Sequence, residues 1–565
     1  MKRLSPVFVF VLLVVLCTLG VCSTALGAQS SLGPLAQQAY LKASATGVRD
    51  LFGNSVAVSG DTVVVGAHYK NAAHVFVRDG ATWSLQSELT GAGYFGRSVA
   101  ISGETLVVGA PYMDDQSGGA YVFVRSGATW NQQAYLKPSD LEALDWFGTS
   151  VAISGDTVVV GADGKGLGGA YIFVRNGGVW SQQAYLAGSS DYFGTSVAVS
   201  GDTIVVGSSA KEGVSGSASV FVRQSTSTTW SQQADLTPST MSGTYCWYGS
   251  TVAISGDTVV VGAHGEDSVA DNSGAAYVFV RDGTTWNQQA YLKASNPKVF
   301  DNLGYSVAIS GDTVVVGAAY ENSNATGVDG NQTDTSAPNA GAAYVFVRDG
   351  TTWIQKAYLK ASNTEANDTF GYSIAVSGDT VVAGAYLEDS NATGVNGDDS
   401  NNDIDGAGAA YVFAPLPTIT VTAGAGGSIT PPTGTVNWGA DATYTITPDA
   451  GHLITSILVD GVPLSGFDPA GDTHTFAAVA ADHTISATFT GVYTLTYTCT
   501  PGGNLQGDAM QTVIHGADGT PVLAVPDEGF VFAGWSDWIR DNPRTDTRVT
   551  RNLSVVARFA PIPEP

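Results

Sequence analysis

The stretch Phe52-Gly53-Asn54-Ser55-Val56-Ala57-Val58-Ser59-Gly60-Asp61-Thr62-Val63-Val64-Val65-Gly66-Ala67 decides the fold, because the chain repeats it. Further copies begin at Phe95, Phe147, Phe193, Tyr248, Leu303 and Phe370, seven in all. Their Phe-Gly glycines (Gly53, Gly96, Gly148, Gly194, Gly249, Gly304 and Gly371) lie 43, 52, 46, 55, 55 and 67 residues apart. A unit of this size cannot bury its apolar face alone, so the copies must pack on one another.

In the fifth copy, Val252-Ala253-Ile254-Ser255 reads as strand A and Gly256-Asp257 as a turn. Thr258-Val259-Val260-Val261 is strand B, followed by a variable loop. Ala276-Tyr277-Val278-Phe279-Val280-Arg281 is strand C, Asp282-Gly283 a turn, and Trp286 to Leu292 strand D. Runs of β-branched and aromatic residues between Gly, Asp and Ser predict strands, and no capped 3.6-residue period predicts a long helix. Four antiparallel strands repeated seven times predict an all-β, seven-bladed β-propeller followed by two small β-rich modules. The seventh copy stops at Ala414-Pro415 without a strand D, while an orphan strand, Gln37 to Lys42, precedes the first copy. A ring closed by residues 37–42 explains both irregularities, and an open stack would leave two bare edges.

The Phe-Gly…Val-Val-Gly-Ala pattern resembles the FG-GAP repeat of integrin α-like propellers and their bacterial relatives, over roughly residues 35 to 415. The resemblance implies a propeller used in adhesion or ligand binding. Calcium-binding members carry an Asp-x-Asp-x-Asp-Gly-type loop in the A–B hairpin. Here that hairpin is only Ser59-Gly60-Asp61-Thr62 and its copies, and one carboxylate cannot supply six to eight oxygens, so those metal sites are not carried over.

Residues 1–28, with Lys2-Arg3 ahead of the apolar run Val7 to Val21, read as a secretory signal peptide cut near Ala25 to Ala28. The propeller is expected over 29–415. Residues 416–490 and 491–560 read as two related modules, the second containing Gly529-Phe530-Val531-Phe532-Ala533-Gly534-Trp535. It resembles the internalin-type B repeat of bacterial surface proteins, and the first resembles a divergent copy. The match implies spacer modules without catalytic residues, and 561–565 is a tail.

The 565 residues carry a net charge of −26, which disfavours nucleic acid as a partner. No transmembrane segment is expected after signal cleavage. Cys246 and Cys499 fall in different domains, so no disulfide framework is expected. Low cysteine with abundant Gly, Ser and Thr fits a bacterial exported protein.

Six arginines end strand C: Arg78, Arg125, Arg175, Arg223, Arg281 and Arg348. Their regular placement reads as scaffold, against a carboxylate-binding cluster. Asp50, Asp145, Asp191, Asp301 and Asp368 stand two residues before Phe-Gly. They read as Asx-type turns, against a set of cation-binding channel carboxylates. No metal-ligand spacing, nucleophile elbow or P-loop occurs in the sequence.

Strand alternation puts the A–B and C–D turns on one face and the variable B–C and D–A loops on the other. The longest are the B–C loops Glu321 to Gly341 and Leu387 to Gly408. The latter carries the candidate ligand-binding residues Glu388, Asp389, Asp398, Asp399, Asp403 and Asp405. No cofactor is expected with certainty. Any calcium is expected at Asp399, Asn401, Asp403 and Asp405, where oxygens recur at every second residue, and weakly, because no closing glutamate follows. The reading is a secreted or cell-surface, non-enzymatic binding or adhesion protein. Its loop face would take an extracellular glycan or protein. A glycan-active hydrolase or lyase on the same scaffold is the alternative, and a purely structural surface component the second.

Overall fold

A computed structural model describes residues 32–188, 190–209, 216–224, 228–243 and 245–563. The expected signal segment lies outside these residues. The chain divides at Pro415/Leu416 into two compact units, leaving aside the turn Asp79–Thr82.

The first unit is seven four-stranded antiparallel sheets. Blade 1 is typical: strand A is Phe52–Ser59, B Thr62–Ala67, C Ala72–Asp79 and D Thr82–Thr90. Blade 7 is composite. Its strands A to C are Ser373–Ser377, Thr380–Ala385 and Ala409–Pro415, and its strand D is Leu35–Leu41. The register runs from Leu35 opposite Pro415 to Leu41 opposite Ala410, with a shift between Gln37 and Ala39. The closing strand thus begins two residues before the expected 37.

The seven strands B are buried along their whole length. That is why they read as unbroken β-branched runs: neighbouring blades cover both faces. Two rows of hydrogen bonds stitch the ring. The hydroxyl of Ser55 donates to Gly96 O of the next blade, and its equivalents do likewise around to Ser373, which donates to Gly53 O, at 2.7–3.1 Å. On the turn face, Gly103 N donates to Ser59 Oγ and so on around to Gly60 N and Ser377 Oγ, at 3.0–3.2 Å. The Phe-Gly glycine is dictated by this junction. Gly53 sits at φ +90°, and a Cβ there would meet Ala409 O at 2.1 Å.

The third row explains the arginines and tryptophans. Trp83, Trp130, Trp180, Trp230, Trp286 and Trp353 each donate Nε1–H to a glutamine of the preceding blade at 2.8–2.9 Å. In five of these blades the strand C arginine stacks on the tryptophan at 4.8–5.4 Å. All six arginines ion-pair with the acid of the A–B turn. The junction between blades 6 and 7 lacks the clip: Leu35 stands in the tryptophan position and Lys356 in the glutamine position.

In the second unit one 17-residue strand, His483–Cys499, serves both modules. Its first part runs parallel to Thr418–Ala423, and its second part runs parallel to Leu553–Pro561. The last strand of one module is therefore the first of the next, and it crosses the expected 490/491 division without a break. Each module keeps its own core, one around Ile446 and Ile457, the other around Tyr497 and Trp535. Among the described residues no helix is long and apolar enough to cross a membrane. Cys246 is buried and Cys499 exposed, both free.

Candidate functional site

The two faces of the ring differ in kind. The turn face is the near-identical Ser-Gly-Asp and Asp-Gly hairpins with their ion pairs. On the loop face the residue before each Phe-Gly (Leu51, Tyr94, Trp146, Tyr192, Trp247, Asn302 and Thr369) is left-handed, with φ of +51° to +60°. Such backbone costs a non-glycine residue about 1–2 kcal/mol and is held only where the surroundings over-determine it. Four consecutive blades, 2 to 5, place an aromatic ring there. Tyr94 stacks on Tyr69 at 5.1 Å and meets Tyr112 at 4.5 Å, and Trp247 remains 39% exposed.

At the loop-face end of the channel lies a cavity of about 620 Å³. It is lined by the residue after each Phe-Gly: Asn54, Arg97, Thr149, Thr195, Ser250, Tyr305 and Tyr372. Asp163, Ser209 and His264, each opening a B–C loop, line it too, with Trp247. The wall from blades 1 to 4 is polar. The wall from blades 5 to 7 is a chain of rings. Trp247 stacks on His264 at 5.6 Å, His264 meets Tyr305 at 5.2 Å, and Tyr305 meets Tyr372 at 5.0 Å. Burial lowers the His264 imidazole to about 4, so it is neutral at pH 7. On the polar wall, burial raises the Asp163 carboxyl to about 6, opposed by the Arg97 charge and by Thr149 and Thr195. Asp163 Oδ1 is buried without a hydrogen-bond partner. Among the described residues the Arg97 guanidinium has no hydrogen bond or ion pair; its backbone carbonyl accepts from the Asn54 amide and its backbone N–H donates to Tyr94 O.

The acidic loop of blade 7 is built differently from the sequence expectation. Glu388 is buried, so it cannot present itself to a ligand. Lys42 Nζ lies 2.6 Å from its Oε2, while Tyr40 and Asn363 donate to its Oε1 at 2.8 and 2.9 Å. Asp389 accepts from Gly406 N at 2.7 Å, and Asp398 accepts from the backbone and hydroxyl of Ser400. The four residues expected to share calcium are not brought to one point. Asp399 accepts from the Ser362 hydroxyl, Asn401 and Asp403 both brace Asn391, and Asp405 ion-pairs with Arg49. Among the described residues no group of three or more His, Cys, Asp or Glu is placed to hold a metal ion.

Blade 6 repeats this design: Lys360 and Tyr358 engage Glu321 at 3.1 and 3.0 Å. The readable signal was the shared motif Glu-x-Ser-Asn-Ala-Thr-Gly-Val at Glu321 and Glu388, which marks a repeated brace. Of the acids before Phe-Gly, Asp50, Asp145, Asp301 and Asp368 each accept from the backbone N–H three residues earlier at 2.7–2.9 Å. They close turns and do not line the cavity. Sequence reasoning passed over Arg97 and Asp163; their signal was departure from the repeat at positions flanking a constant motif.

No curated protein matches the chain. The family model for the FG-GAP repeat matches residues 35–81, 85–123, 130–173, 180–221, 230–279, 286–346 and 353–413. Each match starts on the strand D preceding a blade, the first on the closing strand. The divergent InlB B-repeat domain model matches 417–492 and 493–563. Domains of both kinds are typical of extracellular and surface proteins. With its seven repeats covering more than half of its length, the chain belongs to the FG-GAP repeat family.

Proposed function

We propose that this is a secreted or cell-surface, non-enzymatic binding protein that holds an extracellular glycan or protein on the loop face of its propeller. The two C-terminal modules act as a spacer. The observation that carries this reading is the contrast between the faces. One is seven near-identical turns engaged in scaffold bonds; the other gathers the departures from the repeat around an open cavity of about 620 Å³. Loops that depart from a rigid scaffold are where binding resides. A binding role is favoured over glycan cleavage because Asp163 is the one carboxylate among the described residues lining the cavity, and hydrolysis needs a pair. The full chain, applied to a glycan and matrix-protein array with and without calcium, is expected to capture one ligand class selectively. A blank array contradicts the proposal.

A further inference from the structure

We infer that the channel mouth holds one terminal, uncharged hexopyranose, its apolar face on Trp247 and Tyr305 and its hydroxyls on Asp163 and Arg97. This rests on the loop face being the binding face.

The argument starts from the two walls. A pyranose ring is amphipathic: its axial C–H bonds make an apolar patch, and its hydroxyls ring the edge. The cavity has the complementary division, with rings from blades 5 to 7 on one side and polar side chains from blades 2 to 4 on the other. A lipid would leave the polar wall unpaired, at the cost of desolvated groups without partners. At about 620 Å³ the space is on the scale of a small-molecule site.

Two groups on the polar wall are incomplete. Asp163 Oδ1 is buried with no partner, and Arg97 has five N–H donors and no acceptor from the described residues. Buried polar groups in folded proteins are nearly always paired, so an unpaired one in a cavity marks a place for a partner. Asp163 supplies an acceptor for sugar hydroxyls and Arg97 supplies donors, which together suit a group that both donates and accepts.

Charge selects an uncharged sugar. With its carboxyl at about 6, Asp163 is ionised at pH 7 and balances Arg97, while His264 is neutral. The described residues lining the cavity therefore offer no net charge to an acidic or a basic sugar. The chain as a whole, at −26, repels anions at longer range.

The test is calorimetric titration of the full chain with the methyl glycosides of glucose, galactose, mannose and N-acetylglucosamine, and with glucuronate and glucosamine as charged probes. At least one methyl glycoside is expected to bind, more tightly than either charged sugar. Asp163→Asn and Trp247→Ala are each expected to weaken it about 10- to 100-fold without lowering the melting temperature. Should either variant fold poorly, Arg97→Gln serves in its place. Absence of binding by every methyl glycoside, tighter binding of a charged sugar, or binding that survives the substitutions overturns the inference. An array ligand retained by Asp163→Asn overturns this inference alone; a blank array together with silent glycosides overturns the loop-face reading as well.

Discussion

Lys42 Nζ lies 2.6 Å from Glu388 Oε2, both side chains buried, across 346 residues of chain. Burial pushes the Lys42 ammonium down, and Glu388 pulls it back up. Tyr40, two residues earlier, reaches the other oxygen of the same carboxylate. The strand that closes the ring is thus anchored by a charged lock within the last blade, whose junction with blade 6 lacks the tryptophan–glutamine clip.

Removing one partner of a buried pair strands the other, at a cost of about 3–5 kcal/mol. Lys42→Met is therefore expected to destabilise the propeller by that order, and to speed hydrogen exchange in Leu35–Leu41 and Ala409–Pro415. Lys360→Met breaks the equivalent pair with Glu321 within blade 6. It is expected to cost a similar amount while leaving exchange in Leu35–Leu41 unchanged. Equal exchange of the closing strand in both variants would contradict the lock. Deleting residues 29–43 is expected to lower the melting temperature sharply and to promote aggregation.

Arg281 stacks on Trp286 at 5.4 Å and pairs with Asp257. An exposed pair and a ring contact of this kind contribute about 1 kcal/mol together. Arg281→Gln is expected to lower unfolding free energy by about that much, measured by denaturant titration, and to leave ligand capture intact. Loss of capture with unchanged stability would make the arginine row a binding feature.

Burial, assisted by Glu388, raises the Asp368 carboxyl to about 8, and burial near Glu321 raises Asp301 to about 7. The folded protein then holds protons that the unfolded chain has released, so stability is full below the unfolded carboxylate value of 3.8 and falls as pH rises toward 8. His68, His74 and His264, lowered to about 4 by burial, act with the opposite sign, but only below their unfolded value of 6.5. Between pH 6.5 and 8 these histidines no longer contribute, and each aspartate adds a slope of up to about 1.4 kcal/mol per pH unit for its proton. Asp368→Asn keeps an acceptor for Glu365 N and is expected to flatten this slope. A variant whose stability falls with pH as steeply as the parent's would contradict the assignment.

Calcium would have to break the Arg49–Asp405 pair and the Asn391 brace to gather the acidic loop of blade 7. Millimolar calcium is therefore expected to leave the melting temperature unchanged. A rise abolished by Asp399→Ala with Asp403→Ala would restore the loop as a metal site.

The architecture was legible because a repeat exposes itself to inspection. Phe52-Gly53 and its copies gave the blades, and the missing strand after Pro415 pointed to residues 37–42. The closing strand's start at Leu35 was hidden by the register shift between Gln37 and Ala39, which only pairing reveals. Glu388 looked like a ligand because acidity is visible in a sequence and burial is not. Its partner Lys42 lies at the other end of the propeller sequence. Arg97 and Asp163 each appear once, so no periodicity marks them, and only the packing of blade 2 against blade 3 brings them to one cavity.

The central claim is that binding belongs to the loop face and scaffolding to the turn face. The most direct measurement compares capture of the array ligand by Trp247→Ala with Tyr69→Ala and by Asp257→Ala with Asp312→Ala. The first pair removes exposed rings from the loop face, and the second removes acids from the turn face. The account predicts that the first variant loses the ligand and the second keeps it. Retention by the first with loss by the second would contradict it.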